Sequence, residues 1–224
     1  MINYDLFADG YLKMVKSGGP RKAYKCIIDQ LKLETEIAGK KICDIGCGPG
    51  ELAYELGTLG ATVTGVDLSG ILLGYARSLT DQVDWIQDDA MRLDSMKDES
   101  VDIVVSSLML MDVPDHAAVF RQSRRILKPG GIMIWIVTHP CFQSPFSHPM
   151  EDGSRKVYQY APQYWKSHGK GTLRSILGSY HRPISQYIND FMNTGFSLER
   201  IIEPEAESAF HSVPMHFGAL GYKL

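Results

Sequence analysis

Several features are scarce in this sequence, and each absence excludes a class of protein. The four cysteines, Cys26, Cys43, Cys47 and Cys141, form no C-x-x-C pair and no regular framework, which argues against a disulfide scaffold and against a metal site. The longest strongly apolar run, 131–137, is far too short to cross a bilayer. The net charge is −3 and no Lys/Arg stripe is present, so we expect no nucleic-acid partner.

Length and composition describe one ordinary globular domain. The chain has 224 residues, of which 44% are hydrophobic and 22% charged, enough to bury a core of its own. Its first residues include Asp5 and Asp9 and no uninterrupted apolar stretch, unlike a secretory signal. We therefore expect a cytoplasmic protein with no membrane partner, either a monomer or a homodimer.

The most informative segment is K-I-C-D-I-G-C-G-P-G-E, residues 41–51. A short strand-like run leads into Gly46, Gly48 and Gly50, and a helix-forming run follows. Glycine permits positive φ and close approach of a ligand, and this strand–turn–helix order is typical of nucleotide-binding α/β folds. The dinucleotide fingerprint has its third glycine where this chain carries Glu51. A carboxylate there disfavours a pyrophosphate and favours a cationic ligand without phosphates, such as S-adenosylmethionine.

Strands and helices alternate along most of the chain. After the first strand and helix, the pattern predicts strands at 61–66, 83–87, 101–106, 132–137, 196–202 and within 215–223. It predicts further helices at 69–78, 115–127 and 184–194. The fold class is therefore α/β, a seven-stranded, mostly parallel Rossmann-like sheet with helices on both faces. The long aromatic segment that follows strand five is expected to be a lid insert.

Residues 41–138 resemble the class I S-adenosylmethionine-dependent methyltransferase family, in its small-molecule branch. The glycine loop, an acid closing the second strand, the D-D-A turn at 88–90 and K-P-G-G before strand five carry the resemblance. It implies S-adenosylmethionine as cofactor and S-adenosylhomocysteine as product. In this family the loop holds the methionine part, Asp67 the ribose hydroxyls and Asp89 the adenine amino group. The implied cofactor-binding residues are Tyr11, Asp44, Gly46, Cys47, Gly48, Gly50, Asp67, Leu68, Asp88, Asp89, Ala90, Ser106 and Ser107.

The residues support this assignment independently. The acids at 44, 67, 88 and 89 fall at the carboxyl ends of predicted strands, where open α/β sheets bind ligands. Acids and hydroxyls in such positions also serve as helix caps, and Ser69 and Asp115 have that pattern. Asp44 has a second interpretation too, as a residue that only organises the glycine loop.

The resemblance also extends to the N-terminus. Residues 4–11 are similar to the helical lid of small-molecule members, which places Tyr11 near the cofactor carboxylate. One departure is that many relatives carry a histidine after strand four, where this chain reads L-M-D-V at 110–113, so no role transfers from it. The single domain, 1–224, then divides into four parts: an N-terminal helical lid (1–34), a cofactor-binding core (40–139), a substrate-lid insert (140–182) and a C-terminal helix and strands (183–224).

Methyl transfer from a sulfonium mainly requires orientation and exclusion of water. A hydroxyl acceptor is helped by a general base, and His139 after strand five is the first candidate, although a packing role is the alternative. The insert aromatics either stack on a flat substrate or form the insert's own core. Met109 and Met111, just after strand four, either line the acceptor pocket or fill the core. The predicted substrate-binding residues are Tyr4, Met111, Phe142, Tyr164, Trp165, Tyr180 and His181.

The sequence therefore predicts an enzyme that methylates an O or N atom of a small metabolite, with aromatic or heterocyclic acceptors compatible with the insert. Two alternatives come from other classes. One is a catalytically silent cofactor-binding or scaffold protein of the same fold, and the other is an NAD-dependent oxidoreductase, which Glu51 disfavours.

Overall fold

The computed structural model describes residues 2–204 and 213–224. The strands, in chain order, are β1 (Lys41–Ile45), β2 (Thr62–Asp67), β3 (Asp84–Gln87), β4 (Val101–Ser107), β5 (Leu127–Thr138), β6 (Ser147–Pro149), β7 (Arg155–Val157), β8 (Gln163–Trp165), β9 (Ser179–His181), β10 (Phe196–Ile202) and β11 (His216–Lys223). The helices are α1 (Ala8–Lys16), α2 (Arg21–Glu34), α3 (Glu51–Thr58), α4 (Gly70–Leu79), α5 (His116–Ile126), α6 (Leu173–Ile176) and α7 (Ile184–Asn193). Short 3-10 helices cover Tyr4–Phe7 and Leu110–Asp112.

Seven strands form one sheet in the order β10-β11-β5-β4-β1-β2-β3. β11 runs antiparallel to both of its neighbours, and the pairs among β1 to β5 are parallel. The predicted seven-stranded, mostly parallel fold is therefore confirmed. The chain order reverses at β1, whose neighbours are β2 and β4, and such a reversal opens a crevice at the carboxyl ends of the strands.

Helices cover both faces of the sheet because alternate strand residues point to opposite sides. In β1, Ile42 joins a core cluster with α2 and α3, whereas Cys43 and Ile45 join a second cluster with α5 and α7. Tyr24, Ile27, Ile28 and Leu31 have the spacing of one helical face, and α2 buries that face against the sheet. The segment predicted as a lid, 1–34, therefore includes a helix, α2, that packs against the sheet and belongs to the helical layer.

Element boundaries follow local chemistry. Ser69 caps α4 by accepting from Leu72 N at 3.1 Å, and Asp115 caps α5 by accepting from Ala118 N at 2.9 Å, so both cap predictions are confirmed. β5 begins earlier than predicted. Val101 pairs with Leu127, but Ile103 pairs with Ile132, so the K-P-G-G segment predicted as a turn is a bulge within the strand.

The insert after β5 is folded on itself and bound to the turn that follows β4. It contains the two-stranded ribbons β6–β7 and β8–β9 and the short helix α6. The buried guanidinium of Arg182 donates to the carbonyls of Leu110, Val113 and Pro114 at 2.9, 2.6 and 3.0 Å. These bonds fix the path of the chain from 110 to 114, which contributes to the site described below.

Replacing Arg182 by leucine should destabilise the protein by at least about 3 kcal/mol, because three carbonyl oxygens lose a donor. Arg121→Leu is the control, since that side chain is about half exposed and its ion pair is with Asp115, an exposed interaction worth at most about 1 kcal/mol. Urea denaturation of both variants measures the difference. Equal free energies of unfolding for the two variants would contradict the role given to Arg182.

Candidate active site

A pocket of about 620 Å³, a volume that includes space open to solvent, lies at the carboxyl ends of β1 to β4. Its lining contains four carboxylates, those of Asp67, Asp88, Asp89 and Asp112. Among the lining residues in the described parts of the chain there is no Lys, Arg or His. A cavity of this charge disfavours a polyphosphate and favours a cationic ligand.

The glycine loop forms one wall, and its backbone is tied to β2. The N–H groups of Gly46 and Cys47 donate to the Val66 carbonyl at 2.8 and 3.1 Å, and Gly48 N–H donates to Asp67 Oδ2 at 2.8 Å. Gly46 has a φ of +74°, and a Cβ there would lie 2.4 Å from Met109 Cγ. Glycine is therefore required by both conformation and space.

Asp67 lies at the end of β2, and both of its carboxylate oxygens accept backbone bonds. Oδ2 accepts from Gly48 and Oδ1 accepts from Ser69 N, each at 2.8 Å. Burial raises the pKa of this carboxyl despite these bonds. Each oxygen keeps a second lone pair, so the group can also accept from two vicinal hydroxyls on a ligand.

The turn after β3 forms the opposite end of the cavity. Asp88 serves the turn itself, because its oxygens accept from Asp89 N at 2.7 Å and from Ser95 N and Oγ at 2.8 and 2.6 Å. Asp89 accepts from Met91 N at 2.9 Å through Oδ1 only, which leaves Oδ2 for a ligand amino group. The apolar residues Val66, Leu68, Leu72 and Ala90 line this end and suit a flat heterocycle.

Several predicted cofactor residues lie behind the cavity lining. Asp44 is 1% exposed, Oδ2 has no hydrogen-bond partner in the described structure, and burial, followed by the charge of Asp67, raises its pKa to about 8. Cys47, Gly50 and Ser106 are likewise buried outside the lining, whereas Ser107 lines the cavity with an unpaired Oγ. Glu51 begins α3 and does not line the cavity. The preference for a cationic ligand therefore rests on the carboxylates that do line it.

The N-terminal segment forms the roof. Tyr4 and Tyr11 line the cavity with ring centroids 5.0 Å apart in an edge-on arrangement. Asp5 accepts from the Ser69 hydroxyl and from Ile71 N, and Asp9 accepts from the Tyr75 hydroxyl. These bonds hold the segment against α4. Burial raises the pKa of both roof tyrosines, which therefore remain neutral hydrogen-bond donors.

Asp112 lies in the turn after β4 and lines the cavity, and no sequence motif singled it out. Tyr4 Oη donates to its Oδ2 at 2.6 Å, and Arg174 Nη1 donates to its Oδ1. Burial raises the pKa of this carboxyl in spite of Arg174. The available signal was an acid within the otherwise apolar run L-M-L-M-D-V, which is costly to bury without a partner.

The structure does not bring His139 to the cavity lining. The ring is 1% exposed, and Nδ1 accepts from Cys141 N at 3.1 Å, which makes Nε2 the donor to Glu203 Oε1 at 2.9 Å. Phe142 stacks on it at 4.4 Å, and burial lowers its pKa. These contacts match the packing alternative, and the predicted base role remains a prediction without a contact to the cavity.

The other predicted substrate residues, apart from Tyr4, also lie outside the lining. Phe146 is the centre of a small core within the insert, with Trp165 and His181 at ring distances of 5.4 and 4.2 Å. Tyr164 and Tyr180 pack against each other, and Met111 is buried in the main core. This arrangement matches the second interpretation of the insert aromatics, in which they form the insert's own core.

Within residues 2–204 and 213–224, no group of three or more His, Cys, Asp and Glu side chains is arranged to hold a metal ion. In the same ranges, no helix combines the length and the apolar character needed to span a bilayer.

Comparison with known proteins agrees with the site. Residues 43–135 match the family model for a methyltransferase domain. A ubiquinone biosynthesis O-methyltransferase from Stutzerimonas stutzeri is 30% identical over 166 residues, which cover 72% of this chain and 70% of the relative. One from Albidiferax ferrireducens is 32% identical over 70% of this chain and 66% of its own length. Matches to two others span only 46% and 51% of those relatives.

A solved S-adenosylmethionine-dependent methyltransferase from Mesorhizobium loti superposes with a TM-score of 0.73 at 26% identity, covering 84% of this chain and 93% of the other. One described as putative, from Listeria monocytogenes, gives 0.72 at 26% identity over 85% and 93%. The anionic cavity, the glycine loop and the free acceptor positions on Asp67 fit that cofactor. The chain belongs to the class I S-adenosylmethionine-dependent methyltransferase family.

Proposed function

We propose that this protein transfers the methyl group of S-adenosylmethionine to a hydroxyl oxygen of a small molecule. The observation that carries the proposal is the cavity lined by four carboxylates and, in the described chain, by no cationic side chain. S-adenosylmethionine carries a sulfonium and an ammonium and no phosphate, so its charge complements this lining. The matched relatives are named as O-methyltransferases, which supports oxygen as the accepting atom.

The lining suggests how the cofactor lies. Its adenine would occupy the apolar end near Leu68 and Ala90, with Asp89 on the amino group. Asp67 would accept from the ribose hydroxyls, and the glycine loop and Ser107 would face the methionine part. The cofactor supplies an activated methyl group; the protein's own residues orient it and exclude water beneath the tyrosine roof. Asp44, behind the wall, would organise the loop.

A small acceptor is supported by the enclosure. The bond between Tyr4 and Asp112 joins the roof to the turn after β4, and a pocket bounded in this way suits a small acceptor better than a macromolecular chain. Because the chain belongs to a methyltransferase family, the oxidoreductase alternative is not retained. The silent-scaffold alternative differs from the proposal in one measurable property, which is turnover.

Calorimetric titration with S-adenosylmethionine, S-adenosylhomocysteine and NADH tests the cofactor, and a panel of phenols, catechols, aliphatic alcohols and amines tests the acceptor. We expect micromolar binding of the first two ligands, none of NADH, and methyl transfer to hydroxyl compounds. NADH binding alone would contradict the cofactor assignment. Cofactor binding without transfer to any acceptor would favour the silent scaffold.

Asp67→Ala should weaken S-adenosylhomocysteine binding by about 1–3 kcal/mol, because bonds to the ribose are lost. Asp84→Ala is the control: it removes an exposed carboxylate at the other end of β3, and its dissociation constant should match the wild type. Calorimetry gives both values. Unchanged affinity in Asp67→Ala would remove that residue from the site.

Asp44 should make the unliganded protein less stable as the pH rises. Its folded-state pKa of about 8 lies above its ordinary value of 3.8, so the folded state binds more protons and stability falls between about pH 4 and 8. Asp44→Asn should remove this loss, up to about 1.4 kcal/mol per pH unit. Urea denaturation of both proteins at pH 5 and pH 8 measures it. Parallel pH dependence in the two proteins would contradict the raised pKa of the buried Asp44 carboxyl.

A further inference from the structure

We infer that Asp112 accepts the proton of the acceptor hydroxyl, that Tyr4 and Arg174 hold its carboxylate in place, and that the acceptor is a small phenol. This inference rests on the proposed function and deepens it, since it names the acceptor class and the residue that receives the proton.

The position of Asp112 follows from how the cavity divides. The turn after β3, Asp67 and the glycine loop account for the adenine, ribose and methionine parts of the cofactor. The lining that remains consists of Ile2, Tyr4, Tyr11, Leu108, Met109, Asp112 and Val113. Of these, only Asp112 has a side chain that can take a proton at neutral pH. The acceptor oxygen must lie in line with the sulfonium methyl, so this remaining part of the cavity is where it enters.

The carboxylate is held from two distant parts of the chain. Tyr4 belongs to the N-terminal roof and Arg174 to α6 of the insert, and each donates to a different oxygen of Asp112. Arg174 also donates to the Gly178 carbonyl at 3.0 Å, so its guanidinium is itself fixed. Each Asp112 oxygen has a second lone pair for an incoming hydroxyl.

The charged and titratable groups around Asp112 favour an ionised carboxylate that retains some basicity. Arg174 and, at longer range, Arg182 stabilise the anion, and Tyr4 donates to it; burial acts in the opposite direction and outweighs them. Burial and then the charge of Asp112 raise the pKa of the nearby Tyr11 hydroxyl. A carboxylate without Arg174 would be too costly to bury, and one in water would be a weaker base.

The walls at this end favour an aromatic acceptor. Tyr4 and Tyr11 present rings, and Met109 and Val113 present apolar groups, which suit the body of a planar molecule. In the reaction, the phenol oxygen forms a bond to the methyl carbon as the sulfur–methyl bond breaks. The phenolic proton passes to Asp112, the products are an aryl methyl ether and S-adenosylhomocysteine, and Asp112 returns the proton to water after product release.

The test compares two acceptors of similar shape, a phenol that is neutral at pH 7.5 and a nitro-substituted analogue that is already ionised. Asp112→Asn should lower kcat for the neutral phenol by about 100-fold or more, and for the ionised one by less than about threefold, because no proton remains to be removed. Affinity for S-adenosylhomocysteine should stay within about threefold of wild type. Asp112→Glu should recover part of the lost turnover.

Asp102→Asn is the matched control, because Asp102 also binds a cation, Lys128, but lies at the opposite end of β4. Its kcat should equal that of the wild type with both acceptors. Equal losses with the two phenols in Asp112→Asn would show a structural role and overturn the inference while leaving O-methylation intact. If the wild-type protein binds the cofactor but methylates neither phenol, the acceptor class itself is wrong.

The wild-type pH profile is a second readout that needs no variant to fold. If Asp112 takes the proton, kcat for the neutral phenol is constant above an acid limb and up to the pKa of the phenol. A rate that rises tenfold per pH unit across the whole range would show that only the free phenolate reacts, and it would overturn the inference.

Discussion

The site depends on the parallel pairing of β1 with β2 on one side and with β4 on the other. This pairing places three strand ends side by side, and the chain leaves them in loops that point to the same edge of the sheet. The bonds from Gly46, Cys47 and Gly48 to the end of β2 then fix the glycine loop. A shift in this register would move Asp67 away from the loop and close the cavity.

Burial of negative charge is the second constraint. Asp44 and Asp112 are buried and Asp67 is partly buried, and desolvation raises the pKa of each carboxyl. These carboxyls therefore hold their protons more readily in the unliganded protein, and a cation that enters beside them favours their ionised forms. Only Asp112 has an arginine bonded to it. The two acids near the glycine loop lack such a partner in the described structure, and a cationic cofactor is the group that would complement them.

Local signals explain which features could be predicted from the sequence. Gly46 and Gly48 need unusual backbone angles, Ser69 and Asp115 cap helices, and short apolar strands alternate with helices along the chain. The sheet and the cofactor end of the site could therefore be predicted from short segments. The acceptor end could not be predicted in the same way. Tyr4 and Asp112 are 108 residues apart, and Arg174 and Asp112 are 62 apart, so they meet only when the N-terminal segment and the insert have folded against the turn after β4. The insert aromatics packed on Phe146 instead of the cavity because an insert of this length needs a core of its own.

The most direct test of this account is the location of the transferable methyl group. S-adenosylmethionine labelled with ¹³C at that methyl, bound to the protein, gives isotope-filtered nuclear Overhauser effects to side chains within about 5 Å. The account predicts contacts from the methyl to Met109 and to the Tyr4 ring. Contacts to Leu68 and Ala90, or to the insert aromatics around Phe146, would contradict the placement of both the cofactor and the acceptor end.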